Sequence, residues 1–289
     1  MLIIYGINNA YLFYEKNLKL KFNHKKLIFT FWEPRENIPG YLQLCINTWK
    51  KFLPEYEIMI LDYKNVKDYL GETLFSLIIC KDLPLPIQAD AIRVALLKKY
   101  GGIWMDVDTI ITNGKFLEEI KNFELVMLGE EKYKSQNIGF IFAIRNSSIM
   151  NQWLIEIINK VKIYKQINLN QNKKRKKIKV NWNFLGNEII DRLAKNITTK
   201  KFFRLDRNKI NAFPEIKFYE NSSLTKFQRY QQLYFQKGEP HSLLTQVKGI
   251  ILLHNSWTPF KYKVMSQKKF LSTNILLSRL LAEILKDSL

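Results

Sequence analysis

The run Gly101-Gly102-Ile103-Trp104-Met105-Asp106-Val107-Asp108-Thr109 constrains this chain more than any other stretch. Two glycines end a helix pattern, three apolar residues read as a buried strand, and two carboxylates follow with one residue between them. Side chains alternate faces along an extended strand, so Asp106 and Asp108 are expected to point the same way. Like charges that close oppose each other's ionisation unless a cation sits between them. A hard divalent ion with oxygen ligands suits that place, and a diphosphate would add oxygens to it. The spacing therefore points to a metal–diphosphate site at the end of a buried strand. Two solvated aspartates at a strand end are the plainer reading of the same residues.

The preceding segment, Pro86 to Tyr100, has the pattern of a helix. Pro86 suits a first turn and Gly101 the position after the last turn. Ala89, Ile92, Leu96 and Tyr100 recur at helical spacing and predict one apolar face. Asp90 and Arg93 are three residues apart and share a face. As a surface ion pair they would contribute little. Aimed at the strand end, they would meet a polyhydroxylated ligand.

Upstream, Leu27 to Trp32 reads as a short buried strand closed by Trp32. A helix is expected from Pro39 to about Phe52, with Leu42, Cys45, Trp49 and Phe52 on one face. A strand over Tyr56–Leu61 and a helix from about Asn65 to Leu70 follow. Strand, helix, strand, helix, strand with short connections predicts right-handed parallel crossovers. Ligands of such sheets sit beyond the carboxyl ends of the strands, where Trp32 and Asp106–Asp108 both fall. Downstream, two strands are expected over Glu124–Leu128 and Gly139–Ile144. Ser148 is expected to cap a helix from Ile149 to about Tyr164. Trp182–Lys195 reads as helical, Lys248–Leu253 as a strand, and Leu271–Leu289 as an amphipathic helix that docks on the core or lies on a membrane surface. Thr198–Tyr234 shows no clear pattern.

At 289 residues and 47% hydrophobic content, the chain can bury a substantial core. No apolar run has the length of a membrane span. The apolar start, Met1 to Tyr14, is broken by Gly6, Asn8 and Asn9 and does not read as a signal peptide. Cys45 and Cys80 are too few for a disulfide framework and both fall in helical patterns, which suggests buried thiols in a reducing compartment. A net charge of +20 calls for an anionic partner: nucleic acid, an anionic membrane or a phosphorylated ligand. Lys173, Lys174, Arg175, Lys176, Lys177 and Lys179 form one cluster, read either as a solvated loop or as a membrane contact.

The residues Gln88-Ala89-Asp90, Arg93 and Tyr100 to Asp108 together resemble the motif of glycosyltransferase family 32. The capsular polysaccharide synthesis branch is the most similar, and the sugar-transfer domains of large glucosylating toxins are more distant. Phe31-Trp32 and His254-Asn255-Ser256-Trp257-Thr258-Pro259 carry the resemblance further, over about Lys26 to Leu271. The middle of the chain matches weakly, and Gly186-Asn187 stands where the family often has Gly-Pro.

The resemblance implies an α/β fold of the GT-A type: a Rossmann-like mixed sheet flanked by helices, with additional helices in the C-terminal half. Residues 1–26 would be an N-terminal arm. Residues 27–270 would form the glycosyltransferase domain, with a nucleotide-binding part at 27–145 and an acceptor side at about 146–250. Residues 271–289 would be a C-terminal helix. The implied activity is metal-dependent, retaining transfer of a hexosyl or N-acetylhexosaminyl group. The donor would be a nucleotide-diphospho-sugar, with UDP-sugars foremost, and the acceptor a bacterial capsular or lipid-linked glycan.

The implied roles are specific. Asp108 would bind Mn²⁺ or Mg²⁺, with His254 or Asn255 completing the shell. Asp106 would contact the metal through water or hydrogen-bond ribose and sugar hydroxyls. Ser256 and Trp257 would donate hydrogen bonds to the leaving β-phosphate. Phe31 and Trp32 would meet the base, Asp90 and Arg93 the donor sugar, and Asn137 the ligand, although a turn asparagine explains Asn137 equally well. The implied place is cytoplasmic, at the inner face of the membrane. Two other readings compete. Asp106-Val107-Asp108-Thr109 also fits the nucleophile string of haloacid-dehalogenase phosphohydrolases, but that motif usually ends the first strand and needs a late acidic pair. Charge alone would suit a nucleic-acid binder, yet no reading helix or aromatic platform motif accompanies it.

Overall fold

A computed structural model describes residues 26–130, 135–171, 179–197 and 201–286. Residues 1–25 of the expected N-terminal arm and most of the basic cluster, 173–178, lie outside the described residues, while Lys26, placed in that arm, opens the first strand. The strands are β1 (Lys26–Phe31), β2 (Tyr56–Leu61), β3 (Gly102–Met105), β4 (Thr109–Ile111), β5 (Leu125–Glu130), β6 (Ser135–Ala143), β7 (Phe202–Asp206) and β8 (Ile250–Leu252). The helices of the first half are α1 (Gly40–Phe52), α2 (Val66–Leu70), α3 (Glu72–Ile78), α4 (Leu85–Tyr100), α5 (Phe116–Ile120) and α6 (Ser148–Gln171). Those of the second half are α7 (Asn187–Ala194), α8 (Pro214–Phe218), α9 (Lys226–Tyr234), α10 (His241–Leu244), α11 (Phe260–Lys263), α12 (Gln267–Leu271) and α13 (Leu276–Leu285).

Six strands form a mixed sheet in the order β2-β1-β3-β6-β5-β7, and β4 pairs with β8 in a separate ribbon. The expected parallel crossovers are present: β1 runs parallel to both β2 and β3. β6 is antiparallel to β3 and β5. The sheet is buried on both faces, which is why its strands read as apolar runs rather than as alternation. Ile28, Ile103, Val126 and Phe140 face a core shared with α1 and the C-terminal helices. Leu27, Phe29, Trp104, Met127 and Ile141 face a second core built with α2–α4, α6 and α7. Gly102 takes a left-handed φ of 101°, and a Cβ there would lie 2.4 Å from Leu27 O. Only glycine lets β3 approach β1 this closely.

The expected single apolar face of the Pro86–Tyr100 helix is not what forms. Residues Ile87, Gln88 and Asp90 to Leu97 of α4 are all buried, and only Ala89 and Tyr100 of the proposed face keep some exposure. A helix packed between sheet, α3 and α6 is enclosed nearly all round, and its polar residues are enclosed with it.

Several boundaries shift for physical reasons. α6 is capped by Ser147 and Glu124 rather than by Ser148: Met150 N donates to Ser147 Oγ, while Ser148 N and Ile149 N donate to Glu124 Oε1. The Trp182–Lys195 segment is helical only over α7, after a turn. The expected Leu271–Leu289 helix breaks at 272–275 into α12 and α13, and its last residues, 287–289, lie outside the described residues. The apolar side of α13 is buried in the core, and Lys51 Nζ on α1 donates to Ile284 O. Docking on the core is therefore the arrangement that forms. Cys45 is buried within α1, but Cys80, also buried, follows the end of α3. No helix among the described residues is long and apolar enough to cross a membrane.

Candidate active site

The aspartates sit where the sheet ends. β3 stops at Met105, and Asp106–Asp108 form a turn closed by Thr109 N donating to Asp106 O at 3.0 Å. The strand alternation expected to align the two carboxyls is absent; the turn sets their relation instead. Asp106 N donates to Gly139 O at 2.8 Å, which extends the β3–β6 ladder by one step.

Asp106 belongs to a buried polar cluster. Trp104, two residues earlier, donates its indole N–H to Asp106 Oδ1 at 2.8 Å. Arg93 Nη2 lies 3.1 Å from Asp90 Oδ1 and 3.4 Å from Asp106 Oδ1, and its guanidinium stacks 4.9 Å from the Trp104 ring. Arg93 also donates to Ile138 O. The side chains of Asp90 and Arg93 are 9% and 6% exposed, so they are not the surface pair that spacing alone allows, whereas that of Asp106 is 40% exposed. Burial, opposed by Arg93 and reinforced by Asp106, pushes the Asp90 carboxyl up to about 7. Two glycines hold the walls. A Cβ on Gly186 would lie 2.6 Å from Asp90 Oδ2, and one on Gly139 would lie 3.0 Å from both Asp106 Oδ2 and Asn137 Oδ1. Asn137 Oδ1 accepts from Gly139 N at 2.8 Å, so this side chain braces the loop beside Asp106.

Asp108 is tied to the distant C-terminal segment. Its carbonyl accepts from Leu253 N at 3.0 Å, and its Oδ2 accepts from Asn255 N at 2.8 Å. Burial, with the Asp106 charge next, raises its carboxyl to about 7; the Asn255 N–H works the other way. A carboxylate held in this state favours an added positive charge.

His254 begins the turn Asn255–Trp257 that follows β8. Its ring stacks on Phe213 (5.5 Å, 14°) and lies 4.0 Å from the Trp257 ring. Burial, then Lys226, lowers its pKa to about 4, which leaves the imidazole neutral near pH 7. Its Nε2 is 3.7 Å from Glu215 Oε1, but Glu215 is itself raised to about 7 by burial. With a neutral imidazole this contact is not an ion pair. Asn255 Oδ1 accepts from Tyr41 OH at 2.5 Å, so one of its two lone pairs is engaged. Ser256 is exposed. Trp257 is half-buried against Phe227 and Tyr230, and among the described residues its indole N–H donates to no protein group.

The turn after β3 and the turn after β8 thus bring Asp106, Asp108, His254, Asn255, Ser256 and Trp257 into one region, with Asp90, Arg93 and Asn137 behind it. Trp32 lies at the carboxyl end of β1, half-buried, its backbone N–H donating to Leu61 O. Phe31 is buried and packs edge-on to Tyr63 at 5.3 Å, so Trp32 is the member of the pair with open surface. Sequence reasoning missed Trp104, Tyr41 and Glu215. Trp104 alone had a signal, since it precedes Asp106 by two residues.

A divalent ion fits the donor set in its chemistry: Asp108 offers a hard carboxylate oxygen whose charge backbone N–H groups offset only in part against burial and the Asp106 charge. Among the described residues, however, no three His, Cys, Asp or Glu side chains converge as a metal cluster.

Residues 3–172 match the family described as capsular polysaccharide synthesis protein. That span holds Phe31, Trp32, Asp90, Arg93, Asp106, Asp108 and Asn137, and it ends well before His254. Similar solved structures include the PaToxG glycosyltransferase, with 17% identity and a TM-score of 0.39 over 58% of this chain and 68% of that one. The glycosyltransferase GlyE of Streptococcus pneumoniae TIGR4 is 13% identical, with a TM-score of 0.40 over 92% of this chain. The chain spans 65% of that protein's length, and 64% in its apo form. No curated protein matches.

Proposed function

Because the chain belongs to the capsular polysaccharide synthesis family, we propose that it is a metal-dependent retaining glycosyltransferase. It moves a hexosyl or N-acetylhexosaminyl group from a nucleotide-diphospho-sugar, with UDP-sugars foremost, to a capsular or lipid-linked glycan. The observation that carries this reading is the hydrogen bond of Asn255 N to Asp108 Oδ2. It joins a paired-aspartate turn to a turn rich in neutral donors.

Asp108 would hold Mn²⁺ or Mg²⁺, with His254 and Asn255 beside it. The cation supplies charge neutralisation for a departing diphosphate. Asp106 keeps exposed carboxylate surface and is aimed by Trp104 and Arg93, which suits it to accept hydrogen bonds from ribose and sugar hydroxyls. Arg93 and Asp90 are too enclosed to present much surface, so their effect on the donor sugar runs largely through Asp106. The free indole N–H of Trp257 and the exposed Ser256 hydroxyl suit donation to the leaving β-phosphate. Such donors act most strongly where charge develops as the glycosidic bond breaks. Trp32, with Phe31, is assigned to the base, where an aromatic face stacks with little demand on base identity. Asn137 acts by holding Gly139 beside Asp106.

The test is nucleotide release from a panel of UDP-sugars, with Mn²⁺, with Mg²⁺ and with EDTA. The proposal expects cation-dependent release of UDP for at least one donor, with retained configuration in the sugar freed by slow hydrolysis. A panel of nucleotide sugars that is neither bound nor turned over would overturn it.

A further inference from the structure

We propose that the segment Phe260–Lys269 is the surface by which this chain docks on an anionic lipid bilayer. Phe260 and Val264 would enter the interface, and Lys261, Lys263, Lys268 and Lys269 would meet acidic headgroups. The segment includes α11 and α12 and follows the candidate site directly: Phe260 is four residues beyond Ser256.

Buried anchors hold this segment to the body of the protein. Tyr262 is buried and stacks on Phe235 at 5.1 Å, and Phe270 is fully buried with its ring 5.7 Å from that of Tyr41. Gln267 Nε2 donates to Gln43 Oε1 at 2.7 Å. A Cβ on Gly40 would lie 2.5 Å from Met265 O, so the segment presses directly on the start of α1.

Around these anchors the exposed residues are of two kinds. Phe260 is 77% exposed and Val264 65%, the first being the most exposed large hydrophobic side chain among the described residues. Lys261, Lys268 and Lys269 are exposed and Lys263 partly so, and none of the four has an ion-pair partner among the described residues. The charge is also unopposed along the chain, because no Asp or Glu occurs from Pro240 to Ala282. An exposed aromatic and a β-branched residue flanked in sequence by lysines match the two halves of a membrane interface, apolar below and anionic above. α13 cannot take this part, since its apolar side is buried.

The inference stands apart from the transferase reading, since binding is measured with neither donor nor acceptor present. The full chain is floated with vesicles of phosphatidylcholine alone and of phosphatidylcholine with phosphatidylglycerol. Wild type should bind the anionic vesicles and bind the neutral ones far more weakly. Two variants are compared: Phe260→Ser with Val264→Ser, and the four lysines changed to Gln. Each should lower partitioning by roughly tenfold or more. Circular dichroism and melting curves confirm that the exposed changes leave the fold intact. A variant with Lys173, Lys174, Lys176 and Lys177 changed to Gln tests the other basic cluster.

Wild-type partitioning of both segment variants would overturn the proposal. So would equal binding of wild type to neutral and anionic vesicles. If the lysine variant loses vesicles and soluble polyphosphate alike while Phe260→Ser with Val264→Ser loses neither, the surface is a general polyanion site and the proposal fails.

Discussion

Asn255 N donates to Asp108 Oδ2 at 2.8 Å, joining residues 147 positions apart in sequence. The bond occupies Asp108 Oδ2, and in the proposed function the same carboxyl holds a cation. The bond also sets the turn that carries Ser256 and Trp257 beside the same point.

Trp257→Phe keeps the aromatic bulk against Tyr230 and Phe227 but removes the indole N–H. If that N–H serves the leaving phosphate, kcat should fall by roughly 10²–10³-fold, corresponding to about 2.7–4 kcal/mol, with donor affinity nearly unchanged. Single-turnover donor hydrolysis beside a melting curve reads both. A destabilised but fully active variant would return Trp257 to a packing role.

Arg93→Leu should be destabilising by about 1–3 kcal/mol, because it takes the partner from a buried carboxyl and leaves Asp90 buried in its protonated form. Adding Asp90→Asn should recover much of that stability. The double variant should still bind and turn over donor poorly, since Asp106 has then lost its Arg93 contact. Recovery of both stability and turnover would show the pair to be structural only.

Glu124 gives a pH dependence far from the site. Burial raises its carboxyl, but bonds from Ser147 Oγ, Ser148 Oγ and the N–H groups of Ser148 and Ile149 outweigh this and hold it below its ordinary value. A carboxyl with a lowered folded-state pKa adds stability above its unfolded pKa and loses it as pH falls through the folded one. Glu124→Gln should therefore cost about 1–2 kcal/mol at neutral pH, the size of a lost helix cap. The difference from wild type should shrink as the medium is acidified below about pH 4.3, the ordinary glutamate value. Denaturant melts at neutral and acid pH test it, and a gap that widens on acidification would refute the assignment.

The parallel half of the fold could be read from sequence because its signals are local. Leu27–Trp32, Tyr56–Leu61 and Gly102–Met105 are apolar runs bounded by helix starts and stops, and their order dictates the crossovers. The paired aspartates could be located for the same reason, since they directly follow such a run, whereas the His254–Trp257 turn was picked out by the family resemblance. What could not be read depends on contacts distant in sequence. β7, Phe202-Phe203-Arg204-Leu205-Asp206, has no clean alternation and is a strand because it pairs with β5. Glu124 caps α6 from 23 residues away, where no capping pattern would point. The residues around His254, namely Phe213, Glu215 and Tyr230, come from the stretch that showed no period at all. The burial of Asp90 and Arg93 was hidden because a three-residue spacing looks the same on a surface helix and on an enclosed one.

If Asp108 holds a cation for a nucleotide diphosphate, ligand-induced thermal shift reads that binding without any turnover. A ligand bound only by the folded state stabilises it by about 2.7 kcal/mol at a hundredfold excess over Kd. Wild type should melt higher with a UDP-sugar plus Mn²⁺ than with either alone. Asp108→Asn, whose amide oxygen is a weaker ligand for a hard cation, should fold and still receive the Asn255 N–H, yet show no Mn²⁺-dependent shift. An Asp108→Asn protein that responds to UDP-sugar and Mn²⁺ as wild type does would contradict the account.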